Sequence, residues 1–90
     1  MATAYAIFED EGEYEDRRKQ LRAIALTMED AMKEVGRQAK HFVKEWRTQH
    51  VSSPDPICVL GIAPCLTVRI GKMGLGPRQV EFYVEEAALV

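Results

Sequence analysis

The sequence predicts a two-layer α+β domain. One long amphipathic helix packs on an antiparallel sheet of four or five strands, in the order ββαβββ. Three observations carry this expectation. From Met28 onward, apolar residues recur at steps of three and four, the helical period. Short runs on either side of that stretch alternate apolar and polar residues, the strand period. The chain has 90 residues, 47% hydrophobic and 29% charged, which suffices for one core and not for two.

The opening strand runs from Thr3 to Glu9. Tyr5 and Ile7 project to one face and Ala4, Ala6 and Phe8 to the other. Apolar residues on both faces place this strand inside the sheet. A polar turn from Asp10 to about Lys19 follows, with Gly12 as its one glycine. The second strand covers Gln20 to Leu26, with Leu21, Ala23 and Ala25 sharing a face.

Thr27 is the helix N-cap, its hydroxyl placed to accept from the amide of Asp30. Glu29 and Asp30 occupy the first turn, where the positive end of the helix dipole favours carboxylates. Met28, Ala31, Met32, Val35, Ala39, Phe42, Val43 and Trp46 form the apolar stripe of a helix of about five turns. It ends between Arg47 and His50. Ser52, Ser53, Pro54, Asp55 and Pro56 break the chain after it.

Ile57 to Ile62 is almost wholly apolar and reads as a buried strand, with Cys58 as a small buried hydrophobe. Ala63-Pro64 interrupts the run. From Cys65 to Lys72, Leu66, Val68 and Ile70 share one face and Thr67 and Arg69 the other. Gly71, Gly74, Gly76 and Pro77 form a turn. From Gln79 to Glu86, Val80, Phe82 and Val84 point inward and Glu81, Tyr83 and Glu85 outward. The last two strands form an antiparallel hairpin. The sheet face away from the helix is largely open, lined by Thr67, Arg69 and Tyr83, and is a natural surface for dimerising or docking.

No run of about 20 apolar residues is present, so no membrane partner is expected. The first residues carry no Lys or Arg before their apolar stretch, unlike a secretory signal. Two cysteines, Cys58 and Cys65, fit a reducing compartment, and a cytoplasmic location follows as an expectation. A chain this small buries only about 60% of its unfolded surface, which favours a homodimer or a permanent partner.

No residue pattern points to bond-making chemistry or to a cofactor. Cys58 and Cys65 are seven apart and His41 and His50 nine apart, whereas structural zinc uses cysteine pairs two to four residues apart. Ser52 and Ser53 lack a G-x-S-x-G elbow. The segment Gly71 to Arg78 is glycine-rich and holds two cations. It lacks the Lys-Ser/Thr pair and the following helix of a phosphate loop. A hairpin loop is the simpler reading; a nucleotide site at a subunit seam is the alternative.

Charge layout is more informative than the net charge of -2. Residues 1 to 16 hold six acids (Glu9, Asp10, Glu11, Glu13, Glu15 and Asp16) and no base. Residues 17 to 50 hold nine bases and four acids. Lys33, Arg37, Lys40, Lys44 and Arg47 step by four and three along one helix stripe, roughly opposite the apolar one. Such a stripe either tracks a phosphate backbone or an acidic protein surface, or is simply a solvated face. No aromatic residue interleaves with it, which argues against stacking on single strands. The acidic turn either solubilises the chain or meets an Arg- or Lys-rich partner.

The block Tyr5-Ala6-Ile7-Phe8-Glu9-Asp10-Glu11-Gly12-Glu13-Tyr14-Glu15-Asp16-Arg17, a second strand ending Ile24-Ala25-Leu26, and the Thr27-capped helix with Glu29, Asp30 and Ala31 resemble a group of small proteins of bacteriophages and bacterial mobile elements. The resemblance covers about the first 45 residues. It implies an accessory factor that binds a host protein, in the style of anti-CRISPR and other anti-defence inhibitors, and it carries over no catalytic residue. The leading expectation is therefore a non-enzymatic interaction protein acting in the host cytosol. Its contacts are the acidic turn (Glu9, Asp10, Glu11, Glu13, Tyr14, Glu15 and Asp16), the basic helix stripe, and Arg69 and Tyr83 on the sheet. Nucleic-acid binding through the helix stripe is the alternative.

Overall fold

The computed structural model describes residues 2–11, 18–51, 56–71 and 78–89. They form β1 (Ala2–Glu11), β2 (Arg18–Ala25), α1 (Met28–Gln49), β3 (Ile57–Ile62), β4 (Cys65–Ile70) and β5 (Arg78–Leu89). The five strands make one sheet in the order β2-β1-β5-β4-β3, and every neighbouring pair is antiparallel. The ββαβββ order and the α+β class are as the sequence predicts. β1 sits between β2 and β5, as its two apolar faces require.

Helix α1 leaves one edge strand, β2, and returns the chain at the other, β3, so it spans one face of the sheet. Thr27 caps it: the hydroxyl accepts from the Asp30 amide at 3.1 Å, with Thr27 in extended backbone. Such a cap contributes about 1 kcal/mol. Ala31, Val35 and Ala39 are buried, and Met28, Phe42, Val43 and Trp46 pack around them. Met32 departs from expectation and is exposed, at the margin of the apolar stripe. At the far end the His50 amide bonds the Trp46 carbonyl at 2.9 Å and its ring stacks on Trp46 with centroids 3.7 Å apart.

The core lies between α1 and the sheet. Its sheet side is Ile7, Val68, Ile70, Val80 and Phe82, and the Phe82 ring meets Phe42 edge-on at 5.9 Å. Burial of a side chain of this size is worth about 1.5–3 kcal/mol, so these few residues hold the two layers together. Arg78 ties the end of α1 to β5. Its guanidinium lies 5.0 Å from the Trp46 ring centre and pairs with Glu11. In the β3–β4 hairpin, Gly61 has φ +97, and a Cβ there would fall 2.6 Å from the Cys65 carbonyl oxygen. No other residue fits.

The strands differ from the sequence reading in several places; β4 ends at Ile70 and β5 runs from Arg78 to Leu89. The strands reach further into the acidic segment: β1 continues through Asp10 and Glu11 and β2 begins at Arg18, because these residues pair across the ladder. The pairing of β1 with β2 is irregular between Ile7 and Phe8, which face Ala23 and Leu21 in turn. Arg22 is thus the extra residue of a β-bulge, and Leu21 leaves the face it was expected to share with Ala23 and Ala25. It lies opposite Phe8 and is exposed. Finally, β3 is an edge strand, so Cys58 is exposed instead of buried.

Candidate interaction surfaces

The acidic segment divides into parts with different surroundings. Glu9 and Asp10 are almost inaccessible, at 8% and 9% exposure, and both lie in β1, an interior strand flanked by β2 and β5. Glu9 alternates with Ile7 and so faces the helix layer. There the bulge delivers Arg22, whose Nε and Nη2 donate to Glu9 Oε2 at 3.1 and 2.5 Å. Asp10 faces the opposite side, where the Tyr83 hydroxyl donates to it at 3.3 Å. Glu11 is half-buried and paired with Arg78. These three carboxylates are therefore committed within the fold and are not displayed on a turn, contrary to the sequence reading. Glu13, Tyr14, Glu15 and Asp16 lie outside the described residues.

A cleft of about 290 Å³ separates α1 from the β1–β2 side of the sheet, lined by Glu9, Arg22, Arg37, Gln38, His41, Phe42 and Glu45. Its two arginines are each engaged by a carboxylate, Arg22 by Glu9 and Arg37 by Glu34. Arg37 makes a two-pronged contact with Glu34, and His41 Nε2 lies 3.2 Å from Glu45. The Arg37 hydrogen bond holds the Glu34 carboxyl below its ordinary range. Cys58 and Cys65 belong to the β3–β4 hairpin, His41 to α1 and His50 to its C-cap, so the fold does not pair thiol with imidazole along one element. Among the described residues no group of three His, Cys, Asp or Glu is placed to hold a metal ion.

On the outer side of α1, Lys33, Arg37, Lys40, Lys44 and Arg47 are all exposed, as their spacing predicts. They are not equivalent. Lys33 lies 3.6 Å from Glu29 and Arg37 is bound to Glu34, while Lys40, Lys44 and Arg47 form no ion pair among the described residues. The basic stripe contracts to a three-residue patch on the second half of the helix.

The sheet face away from α1 carries the third surface. The register places Phe8 opposite both Leu21 and Tyr83, Ala6 opposite Ile24 and Glu85, and Asp10 opposite Lys19 and Glu81. The Phe8 and Tyr83 rings stack at 5.9 Å. Lys19 lies 4.4 Å from the Phe8 ring centre and donates to Glu85 at 2.7 Å. That hydrogen bond raises the Lys19 ammonium, and burial, with Asp10 and Glu85 nearby, raises the Tyr83 phenol against the opposing pull of Lys19. Leu21 and Ile24 are exposed beside the rings. Arg69 donates to Gln79 at 3.0 Å further along the face.

The sequence reading anticipated Tyr83 and Arg69 here but missed Phe8, Lys19, Leu21 and Ile24. The available signal was an aromatic residue at the outward position of two strands, Phe8 and Tyr83. Of the loop Gly71 to Arg78, the alternative nucleotide site, residues 72–77 lie outside the described residues, and Arg78 is engaged by Glu11 and Trp46. Among the described residues no helix is long and apolar enough to cross a membrane. Compared with known protein families, curated proteins and solved structures, the chain matches none.

Proposed function

We propose that this chain is a small non-enzymatic interaction protein that binds and occludes another protein through the helix-free face of its sheet. The observation that supports the reading is the exposure of Leu21 and Ile24 beside the half-buried stacked pair Phe8 and Tyr83, over which Lys19 lies, paired with Glu85. Interfaces draw most of their energy from aromatic and apolar anchors ringed by polar groups, and this face has that composition. A contiguous apolar patch on a small domain marks a docking site more often than scattered exposed residues do. The resemblance of the first 45 residues to phage and mobile-element accessory proteins fits an inhibitor of a host defence protein acting in the host cytosol.

The test is affinity capture from lysate of the cell that carries the gene, with wild type beside Leu21→Asp and Tyr83→Ala. A specific partner retained by wild type and lost by both variants, at unchanged circular dichroism, is the expected result. A partner held equally by all three refutes this face.

A second reading rests on Lys40, Lys44 and Arg47, the end of the helix stripe that forms no ion pair among the described residues. It makes the chain a nucleic-acid-binding regulator whose affinity falls steeply with salt. A gel shift at low salt with wild type and the triple Ala variant decides it.

A further inference from the structure

We propose that the β3 edge is the seam of a two-fold dimer, in which β3 of one copy pairs antiparallel with β3 of a second copy. The two five-stranded sheets then become one sheet of ten strands.

The two edges of the sheet are built in opposite ways. The outer strand β2 carries Arg18, Lys19 and Arg22 and is kinked by the bulge at Arg22. Charges and bulges are the usual protection of an edge against pairing with another chain. The outer strand β3 reads Ile-Cys-Val-Leu-Gly-Ile, with no charge, no proline and an unbroken register against β4. Among the described residues only β4 lies beside it. Its other side is a row of backbone donors and acceptors about 20 Å long, at the usual rise per residue.

The side chains along this edge are exposed to match. Val59, on the helix face, is 51% exposed; Leu60 and Ile62, on the opposite face, are 42% and 86% exposed. A strand that pairs here must therefore offer apolar side chains to both faces of the sheet along its whole length. An alternating strand from an ordinary soluble protein presents polar groups on one face, which would lie against Val59 or against Leu60. β3 itself satisfies the requirement. About a two-fold axis normal to the sheet, an uncharged apolar strand meets its copy with apolar residues on both faces and with no like-charge pair. The same symmetry keeps both helices on one side of the ten-stranded sheet. It leaves both copies of the Phe8–Tyr83 face accessible, so the dimer is independent of the function proposed above.

The test is the solution mass of the full chain with hydrogen exchange. Sedimentation equilibrium should give about twice the 10.2 kDa of the chain, falling to one copy on dilution. Ile62→Lys and Leu60→Lys should each yield a monomer with the wild-type circular dichroism spectrum. Amides of residues 57–62 in wild type should exchange more slowly as concentration rises. Should Leu60→Lys fail to fold, the highly exposed Ile62 position and the wild-type exchange data still decide the question. A wild-type monomer at the highest soluble concentration overturns the proposal. So does a dimer that survives both edge variants, or one that Leu21→Asp dissociates instead.

Discussion

Replacing Arg22 by Ala tests the bulge and the placement of Glu9 together. The Glu9 side chain is 11% exposed and that of Arg22 is 43% exposed, and two guanidinium nitrogens donate to one carboxylate oxygen. Exposed ion pairs contribute about 0.2–1 kcal/mol. Breaking a fully buried pair by removing one partner costs about 3–5 kcal/mol. This pair has one nearly buried member and one half in solvent, so the loss on Arg22→Ala should fall between those limits, at about 1.5 kcal/mol. For a domain of this length that corresponds to a fall of roughly 6–12 °C in Tm. Urea unfolding followed by circular dichroism at pH 7 measures it, in a cycle with Glu9→Gln and the double variant. The loss should shrink to a few tenths of a kcal/mol in the Glu9→Gln background, because the buried charge is then already gone. An equal loss in both backgrounds refutes the pairing. So does an Arg22→Ala protein as stable as wild type, which would also remove the reason for the bulge.

Three further outcomes follow from the packing and the charges. Thr27→Ala removes the hydroxyl that accepts from the Asp30 amide and should cost about 1 kcal/mol in thermal or urea unfolding, recovered largely by Thr27→Ser. Phe82→Ala opens a cavity against Phe42 and should cost about 3–5 kcal/mol, a large part of the total for a domain of this size; loss of cooperative unfolding is the readout. The Glu34 carboxyl is held low by Arg37, so the folded state favours its ionised form. The stability this supplies is complete above the ordinary glutamate range and is lost as pH falls through the lower folded value. Glu34→Gln should therefore be less stable than wild type at pH 7, by a few tenths of a kcal/mol for a pair on an exposed helix face, and indistinguishable from it in strong acid.

Much of the fold is local and was legible. The cap at Thr27, the three-and-four spacing through Trp46 and the alternation of Val80, Phe82 and Val84 each depend on neighbours in the chain. They report period and burial directly. What the residues do not report is which strands lie side by side. The apolar run of β3 looks like a central strand because sheet order is set by pairings distant in sequence, and that order leaves it outside. The bulge at Arg22 has the same origin. It is a mismatch between two strands, invisible in either alone, and it reverses the side to which Leu21 points. The acidic cluster was visible as a count of carboxylates. The withdrawal of Glu9 from solvent depends on an arginine 13 residues away in sequence that only the bulge brings round. Surface chemistry was thus harder to read than architecture, since the same residue serves as partner contact or internal counter-ion according to register.

The sheet order has a bearing on how the molecule assembles. Within the sheet, among the described residues, the hairpin β1–β2 and the hairpin β3–β4 are joined through β5, and residue 2 lies opposite residue 89. A nascent chain emerging from the ribosome can zip each hairpin early, but the strand that welds them is synthesised after both. Until it arrives, β1 has one flank bare and β4 another. Closing such distant pairings is slow compared with helical bundles of equal length. The pairing of β5 with both β1 and β4 is thus the long-range step on which the complete sheet depends.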